Sequence, residues 1–230
     1  MKLNKDIKLA DAILQNHFLI IVLERFGISF GFEEKTIANI CKQYDIDINV
    51  FLAIANLHIN SNNIPNIEIN NNNLTKIVRY LKNSHQYYTN EVLPTISNRI
   101  NQLCENNDDL TLILIKRFFN EYIVEVKKHL KHEETTVYPY ALNLLGNKTK
   151  VNTYCIAEYK KHHDDIETKL DDLKNLLIRH LPEKNDHKFR RNILFDLFRF
   201  EKDLIIHTII EEHLLIPQIE RIENSLIKLR

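Results

Sequence analysis

Two segments of the chain carry the same spacing of histidine, glutamate and proline. His129–Pro139 reads HLKHEETTVYP and His207–Pro217 reads HTIIEEHLLIP, so both follow the pattern H-x3-E-E-x4-P. The two blocks begin 78 residues apart, and the same separation joins His85 to His163. A pattern repeated at one fixed separation predicts two tandem helical hairpins related by a pseudo-twofold axis.

The H-x3-E spacing predicts a metal site shared by facing helices. Residues four apart in an α-helix rise about 6 Å and return to nearly the same face, so the histidine and glutamate of each block can meet one centre. Four-helix bundles that hold two metal ions use inward Glu and His at this kind of spacing. The other two helices each add one imidazole. The predicted ligands are therefore His85, His129, Glu133, His163, His207 and Glu211.

The ligand types indicate which metals to expect. Four imidazoles and two carboxylates form a mixed nitrogen and oxygen set without a thiolate, which suits iron, manganese or zinc. Two carboxylates that can bridge favour a dinuclear centre. We expect two iron ions, bridged by carboxylate and by oxo or hydroxo groups, with manganese or zinc as alternatives. Six protein ligands leave positions open for water, dioxygen or nitric oxide.

Several neighbouring residues are weaker candidates. His162 competes with His163 for the third helix, and the 78-residue repeat favours His163. Tyr159 lies one turn earlier and is expected either to line the site or to belong to the core. Residues one turn before each block's histidine are candidates for orienting it or relaying protons; they are Glu125 and Asp203. His132 and His213 are expected to point away from the site on solvated faces. Glu134 and Glu212 are expected on the surface or around the ligands.

Helical periodicity runs through most of the chain. Apolar residues at three- and four-residue spacing predict four short helices in a small N-terminal domain, residues 1–58, at 6–15, 18–26, 33–44 and 47–57. Residues 59–73 are rich in Asn and predict a linker. Residues 74–230 predict an up-down-up-down four-helix bundle, with helices near 74–104, 108–145, 149–180 and 186–228. The expected fold class is all-α.

Composition excludes several classes of function. The chain has 31 basic and 31 acidic residues, and its pI near 7.2 argues against a dedicated nucleic-acid or acidic-lipid binder. No run of 18 uncharged apolar residues occurs, so we expect no membrane span, and the N-terminus lacks the apolar stretch of a signal peptide. Three scattered cysteines form neither a disulfide framework nor a CxxC motif, which favours a cytoplasmic setting.

In its two H-x3-E-E-x4-P blocks, with His85 and His163 before them, the chain resembles the hemerythrin-like, HHE cation-binding domains over about residues 75–220. The resemblance implies a four-helix bundle around two iron ions. Oxygen-carrying hemerythrins use five histidines and place an aspartate five residues after the fourth-helix histidine. Here the fourth-helix carboxylate, Glu211, is four residues after His207. Four histidines and two glutamates instead look like the di-iron family that repairs iron-sulfur clusters, the repair of iron centres family.

The N-terminal segment resembles the small domain that precedes the bundle in that repair family. The similar stretches are Leu9-Ala-Asp-Ala-Ile-Leu, Glu24-Arg-Phe-Gly-Ile-Ser-Phe and Thr36-Ile-Ala-Asn-Ile-Cys. The family usually has Cys-Cys-Gly-Gly where this chain has Gly31-Phe-Glu-Glu34. The thiol chemistry of that domain is therefore not expected here, and Cys41 alone is a poor substitute. We expect a variant domain that packs or docks a partner.

The resemblance implies a role in repair or protection of iron-sulfur clusters under nitrosative or oxidative stress, by iron donation or nitric oxide handling. Iron-sulfur proteins would be the clients, and O2 or NO the small ligands. Two alternatives stay open: a sensor or storage hemerythrin that binds dioxygen or nitric oxide, and a di-iron oxidase or peroxidase. The oligomeric state is open, with a dimer allowed.

Overall fold

The computed structural model describes residues 2–62, 64–65, 67, 71–105, 109–145, 156, 159, 166–181 and 187–228. Over these residues the regular structure is helical, joined by one isolated antiparallel bridge between Lys8 and Thr36. The all-α prediction is confirmed. Within the described ranges, no helix combines the length and apolar character that a membrane crossing requires.

Four short helices form the N-terminal segment: α1 (Leu9–Gln15), α2 (Leu19–Phe26), α3 (Ile37–Gln43) and α4 (Ile48–Ile59). Side chains of two N-cap residues satisfy amides that have no partner inside their helices. Thr36 accepts from the Asn39 amide at the start of α3, and Asp47 accepts from two amides at the start of α4. Gly27 ends α2 at a φ of 72°, a left-handed conformation that glycine adopts without steric cost.

The remaining helices begin at Asn71, inside the stretch 59–73 that the sequence predicts as a linker. They are α5 (Asn71–Tyr87), α6 (Leu93–Cys104), α7 (Leu110–His132), α8 (Tyr138–Leu145), α9 (Ile166–Arg179), α10 (His187–Ile210) and α11 (Ile216–Lys228). Asp109 caps α7 by accepting a hydrogen bond of 2.8 Å from the Thr111 amide. The predicted breaks near 105–109 and 181–186 agree with the ends of α6 and α9 and the starts of α7 and α10.

Three π-helical turns interrupt these helices, and the sequence analysis did not predict them. They are Tyr88–Val92 between α5 and α6, Glu133–Val137 between α7 and α8, and Glu211–Leu215 between α10 and α11. Two of them show the wide ring directly, because the Leu93 amide donates to the Tyr88 carbonyl and the Ile216 amide to the Glu211 carbonyl. Each turn inserts one extra residue into the helix, so the residues after it lie on different faces of the helix than they would in an uninterrupted α-helix.

Proline accounts for the position of these turns. A proline comes six residues after the first residue of each turn, at positions 94, 139 and 217. In a regular α-helix the ring would clash with the carbonyl four residues earlier and leave that carbonyl without a donor. The wider turn moves this carbonyl away. Threonine hydroxyls assist at two turns, since Thr89 donates to the His85 carbonyl and Thr135 to the Lys131 carbonyl, each at 2.8 Å.

The chain divides into two compact units. The first comprises Met1–Ser84, Tyr138–Ile156 and Ile206–Arg230, and the second comprises His85–Val137 and Ala157–Ile205. In the first unit, α5 packs against the N-terminal helices: the Tyr80 ring lies 4.9 Å from that of Phe26, and its hydroxyl is 3.1 Å from Nε2 of buried His58. The predicted domain boundaries at residues 58 and 73 stay predictions.

In the second unit, four helical segments surround one apolar core. The turn before α6 and α6 itself supply Tyr88, Ile96 and Ile100. The other helices complete it with Leu112, Ile115, Phe119 and Val126 from α7, Leu170 and Leu173 from α9, and Ile193, Leu197 and Phe200 from α10. Every one of these side chains is at most 2% exposed. The arrangement is the four-helix bundle that the sequence predicts.

Removing one of these core side chains tests the packing. We expect Leu170→Ala to lower the free energy of unfolding by about 2–5 kcal/mol, because it deletes buried methyl groups and leaves a cavity. The matched control is Leu14→Ala, because Leu14 is 86% exposed. Urea unfolding followed by circular dichroism measures both variants. Equal stability of the two variants would contradict the assignment of Leu170 to the core.

Candidate metal centre

His85 is a buried histidine in the last turn of α5 with acidic groups at both ring nitrogens. Its Nε2 lies 3.2 Å from Glu133 Oε2, and its Nδ1 lies 3.0 Å from Glu134 Oε1. The ring is 2% exposed, whereas the Glu134 side chain is 42% exposed. An Nδ1–H donated to Glu134 leaves Nε2 without a proton, which is the form that binds a metal. In that tautomer the Glu134 carboxylate holds the orientation of the ring.

Glu133 is the first residue of the π-helical turn after α7, and it is fully buried. His129 lies one turn earlier, with Nε2 at 2.9 Å from Glu133 Oε1. The Tyr159 hydroxyl donates a hydrogen bond to that same oxygen. One carboxylate thus has an imidazole nitrogen close to each of its oxygens, and one of these oxygens also accepts a hydrogen bond from a phenol. This half of the site lies within the second unit.

The surroundings of Glu133 keep it ionised. Burial by itself raises the pKa of this carboxyl group, but the imidazoles of His129 and His85 outweigh that effect and hold the pKa well below its usual range. Among the described residues, Glu133 Oε2 accepts no well-directed hydrogen bond, even though His85 Nε2 is close. A buried imidazole nitrogen and a buried carboxylate oxygen that lie 3.2 Å apart without such a bond are donors that a metal ion could share. The donor set therefore fits a cation.

The first unit contains a second His and Glu pair with the same spacing. His207 is in the last turn of α10, and Glu211 is the first residue of the next π-helical turn. His207 Nε2 lies 3.5 Å from Glu211 Oε1, and both residues are at most 3% exposed. Buried Tyr138 donates a hydrogen bond of 2.8 Å to Glu211 Oε1. The two halves thus share a pattern of buried carboxylate, imidazole and tyrosine.

Four of these buried side chains form a His/Glu group that can hold a metal ion. They are His85, Glu133, His207 and Glu211, and each offers one ligand atom. Nitrogen and oxygen donors without sulfur suit iron, manganese or zinc. Both glutamates come from H-x3-E-E-x4-P blocks.

Comparison with known protein families agrees with this geometry. The family model of the hemerythrin HHE cation binding domain matches residues 76–219, which is more than half of the chain. The chain belongs to the hemerythrin HHE cation-binding domain family. No curated protein matches the chain closely enough to serve as a relative. The hemerythrin resemblance predicted from the sequence is therefore confirmed at the level of the family.

The structure brings together some of the six predicted ligands and does not describe all of them. Four belong to the His/Glu group, and His129 lies beside it in contact with Glu133. His163, together with its competitor His162, lies outside the described residues. The assignment of all six as ligands stays a prediction.

Residues around the ligands took roles that the sequence left open. Glu134 orients His85, and Tyr159 bonds Glu133. Glu125 forms an ion pair with Lys169 on the half-exposed side of the bundle, so its predicted role toward His129 has no support here. Asp203 is buried, and its backbone carbonyl accepts a bond of 3.3 Å from the Tyr88 hydroxyl. The exposed residues His132, Glu212 and His213 are on the surface as expected.

Tyr138 is the site residue that sequence reasoning missed. The first block has Tyr138 before its proline, whereas the second has Ile216 at that position, so the repeat gave no indication of it.

The surroundings of Cys41 fit the expectation that this cysteine is a poor substitute for a reactive thiol pair. Burial raises the pKa of the Cys41 thiol to about 12, so the reactive thiolate is scarce at neutral pH.

The hydrogen bond between Glu134 and His85 makes a prediction about metal affinity. We expect Glu134→Gln to weaken metal binding by about 10- to 100-fold, because an amide orients the imidazole less strongly and does not raise its basicity. Anaerobic competition with a chelator measures the affinity for ferrous iron. Glu212→Gln is the matched control, since Glu212 holds the same position in the second block and is exposed. Equal affinities of the two variants would contradict the role of Glu134 in orienting His85.

Proposed function

We propose that this chain is a di-iron protein that repairs or protects iron-sulfur clusters under nitrosative or oxidative stress. The observation that carries the di-iron part is the buried group of His85, Glu133, His207 and Glu211 in a hemerythrin HHE cation-binding domain. His129 and His163 would complete the ligand set. Manganese and zinc are alternative metals for the same donors.

The side chains around this buried group would have specific roles at such a centre. Iron bound by these ligands would have open coordination positions for nitric oxide or dioxygen. The same ion would also be available for transfer to an acceptor. Glu134 holds His85 with its Nε2 available. Tyr159 and Tyr138 donate hydrogen bonds to Glu133 and Glu211, which fix the carboxylates and reduce their charge. Burial keeps bulk water away from both glutamates.

Support for the repair role comes from ligand chemistry and from the N-terminal resemblance. The ligand set contains nitrogen and oxygen donors and no thiolate, whereas the sites of iron-sulfur clusters use cysteine thiolates. This difference in ligands suits transfer of iron from this centre to a client. The N-terminal stretches resemble the small domain of the repair family, and Tyr80 of α5 contacts Phe26 of α2 and His58 of α4 within one unit. Iron-sulfur proteins of the cytoplasm are the proposed clients.

Iron content and transfer test this proposal together. We expect protein purified from iron-grown cells to contain two irons per chain, to show an optical spectrum of a bridged ferric pair, and to restore activity to an iron-sulfur enzyme that lacks its cluster. The double variant His129→Ala, Glu211→Ala should lose most of the iron and the restoring activity, because each block loses one ligand. Metal analysis and the enzyme assay measure the two properties.

His132→Ala is the control for the double variant, because it removes an exposed histidine from the same helix. Retention of stoichiometric iron by the double variant would refute the ligand assignment. An iron-loaded wild-type protein that fails to restore the enzyme would refute the repair role and leave the metal site standing. A reversible spectral change with dioxygen in that protein would favour the sensor or storage alternative.

A second function, di-iron oxidase or peroxidase, is favoured by the tyrosines. The Tyr159 hydroxyl bonds directly to buried Glu133, so it is placed to give a proton or an electron to chemistry at that carboxylate. If this function holds, Tyr159→Phe should lower peroxide turnover by about tenfold or more while iron content stays the same. Tyr140→Phe is the matched control, because the Tyr140 hydroxyl bonds Glu223 instead. Equal turnover by both variants would exclude a role for Tyr159.

A further inference from the structure

Helix α7 presents an outward stripe that no packing among the described residues of its unit explains. The residues follow alternating spacings of four and three, the heptad spacing of a coiled-coil seam. We call this stripe the α7 seam; it consists of Leu110, Leu114, Arg117, Glu121, Val124 and Lys128. All six side chains are exposed, and the opposite face of the same helix carries the core residues of the bundle.

The apolar residues of the α7 seam are unusually open. Leu110 is 76% exposed, Leu114 61% and Val124 67%. Ile113 flanks them at 50%. A single exposed leucine on a protein surface needs no explanation. Three at coiled-coil spacing, along about 21 Å of one helix, form a face suited to another helix.

The order of residues in the α7 seam says which helix fits. In the middle, Arg117 and Glu121 have their Nε and Oε1 atoms 2.8 Å apart, and apolar residues follow on both sides. A twofold axis beside residue 119, perpendicular to the helix, would place Arg117 opposite Glu121 of the partner subunit. The same axis places Leu114 opposite Val124 of the partner subunit. Leu110 then meets the aliphatic stem of Lys128 of the partner subunit.

This self-complementarity selects an antiparallel pairing with a second copy of the chain. In a parallel pairing Arg117 would face Arg117 and Glu121 would face Glu121, and like charges in an interface are strongly unfavourable. The antiparallel pairing makes two equivalent Arg117–Glu121 contacts, as a twofold interface requires. We propose that the chain forms a homodimer through the α7 seams of two subunits, packed antiparallel.

The dimer should be reversible. A standard stable interface buries about 1,600 Å² in total, and one pair of helices covers less than that. The charged pair at the centre sets the register and the direction of the helices more than it adds affinity. We therefore expect the fraction of dimer to rise with protein concentration in sedimentation velocity experiments on the full chain.

Charge reversal tests the pairing. Arg117→Glu places Glu opposite Glu121 in a dimer of that variant, and Glu121→Arg places Arg opposite Arg117. Each variant alone should dimerise at least about tenfold more weakly than the wild type. A mixture of the two variants should form heterodimers about as readily as the wild type forms homodimers, because both opposing pairs are then complementary. Fluorescent labels on the two variants report the mixing by energy transfer.

An apolar variant and its control complete the experiment. Leu114→Asp should abolish the dimer, whereas Leu14→Asp, which changes an even more exposed leucine on α1, should leave it unchanged. Circular dichroism checks that all variants are folded. A wild-type chain that is monomeric at every concentration, dimers that survive both single charge reversals, or a mixture that does not form heterodimers would each overturn the proposal.

Discussion

A carboxylate enclosed by helices costs several kcal/mol of folding free energy unless cations or hydrogen-bond donors surround it. Glu133 meets that condition with imidazoles within about 3 Å of both oxygens and a tyrosine hydroxyl on one. Glu211 meets it with His207 and Tyr138. The helices that carry these partners must therefore keep their heights and rotations, and the apolar core of the bundle supplies the rigidity for this.

The prolines of the two blocks belong to the same constraint. Each block's glutamate is the first residue of a π-helical turn, and each proline follows six residues later. A proline in a helix demands a local change in hydrogen bonding, and the π-helical turn satisfies that demand directly after the ligand. Widening the helix there changes the direction of the residues that follow. In α8 the first of these is Tyr138, which bonds Glu211.

Helix α7 serves two surfaces with one periodicity. Its inward residues pack the core and lead to His129 and Glu133, while its outward residues form the α7 seam. Both faces use three- and four-residue spacing, because any stripe along a helix must do so. The composition differs: the inward stripe is apolar until it reaches the ligands, and the outward stripe carries an ion pair between apolar residues.

The sequence by itself determined the all-α class, the long helices and the ligand candidates. It could do so because helical periodicity and the repeated H-x3-E-E-x4-P spacing are local properties, written within a few turns of chain. The element bounds in the N-terminal segment agreed to within a few residues. The repeated second glutamate and the prolines six residues after the ligands were also visible, although their meaning was not.

Only the tertiary structure decided which donors meet. Tyr138 bonds Glu211 across 73 residues, and the imidazole of His85 meets the carboxylate of Glu134 across 49, separations over which no local pattern operates. It also separated Glu125, which pairs with Lys169, from Glu134, which contacts His85, although both are acids close in sequence to a predicted ligand. Helix rotation and packing set such contacts, and a single helix's sequence does not contain the position of its neighbours.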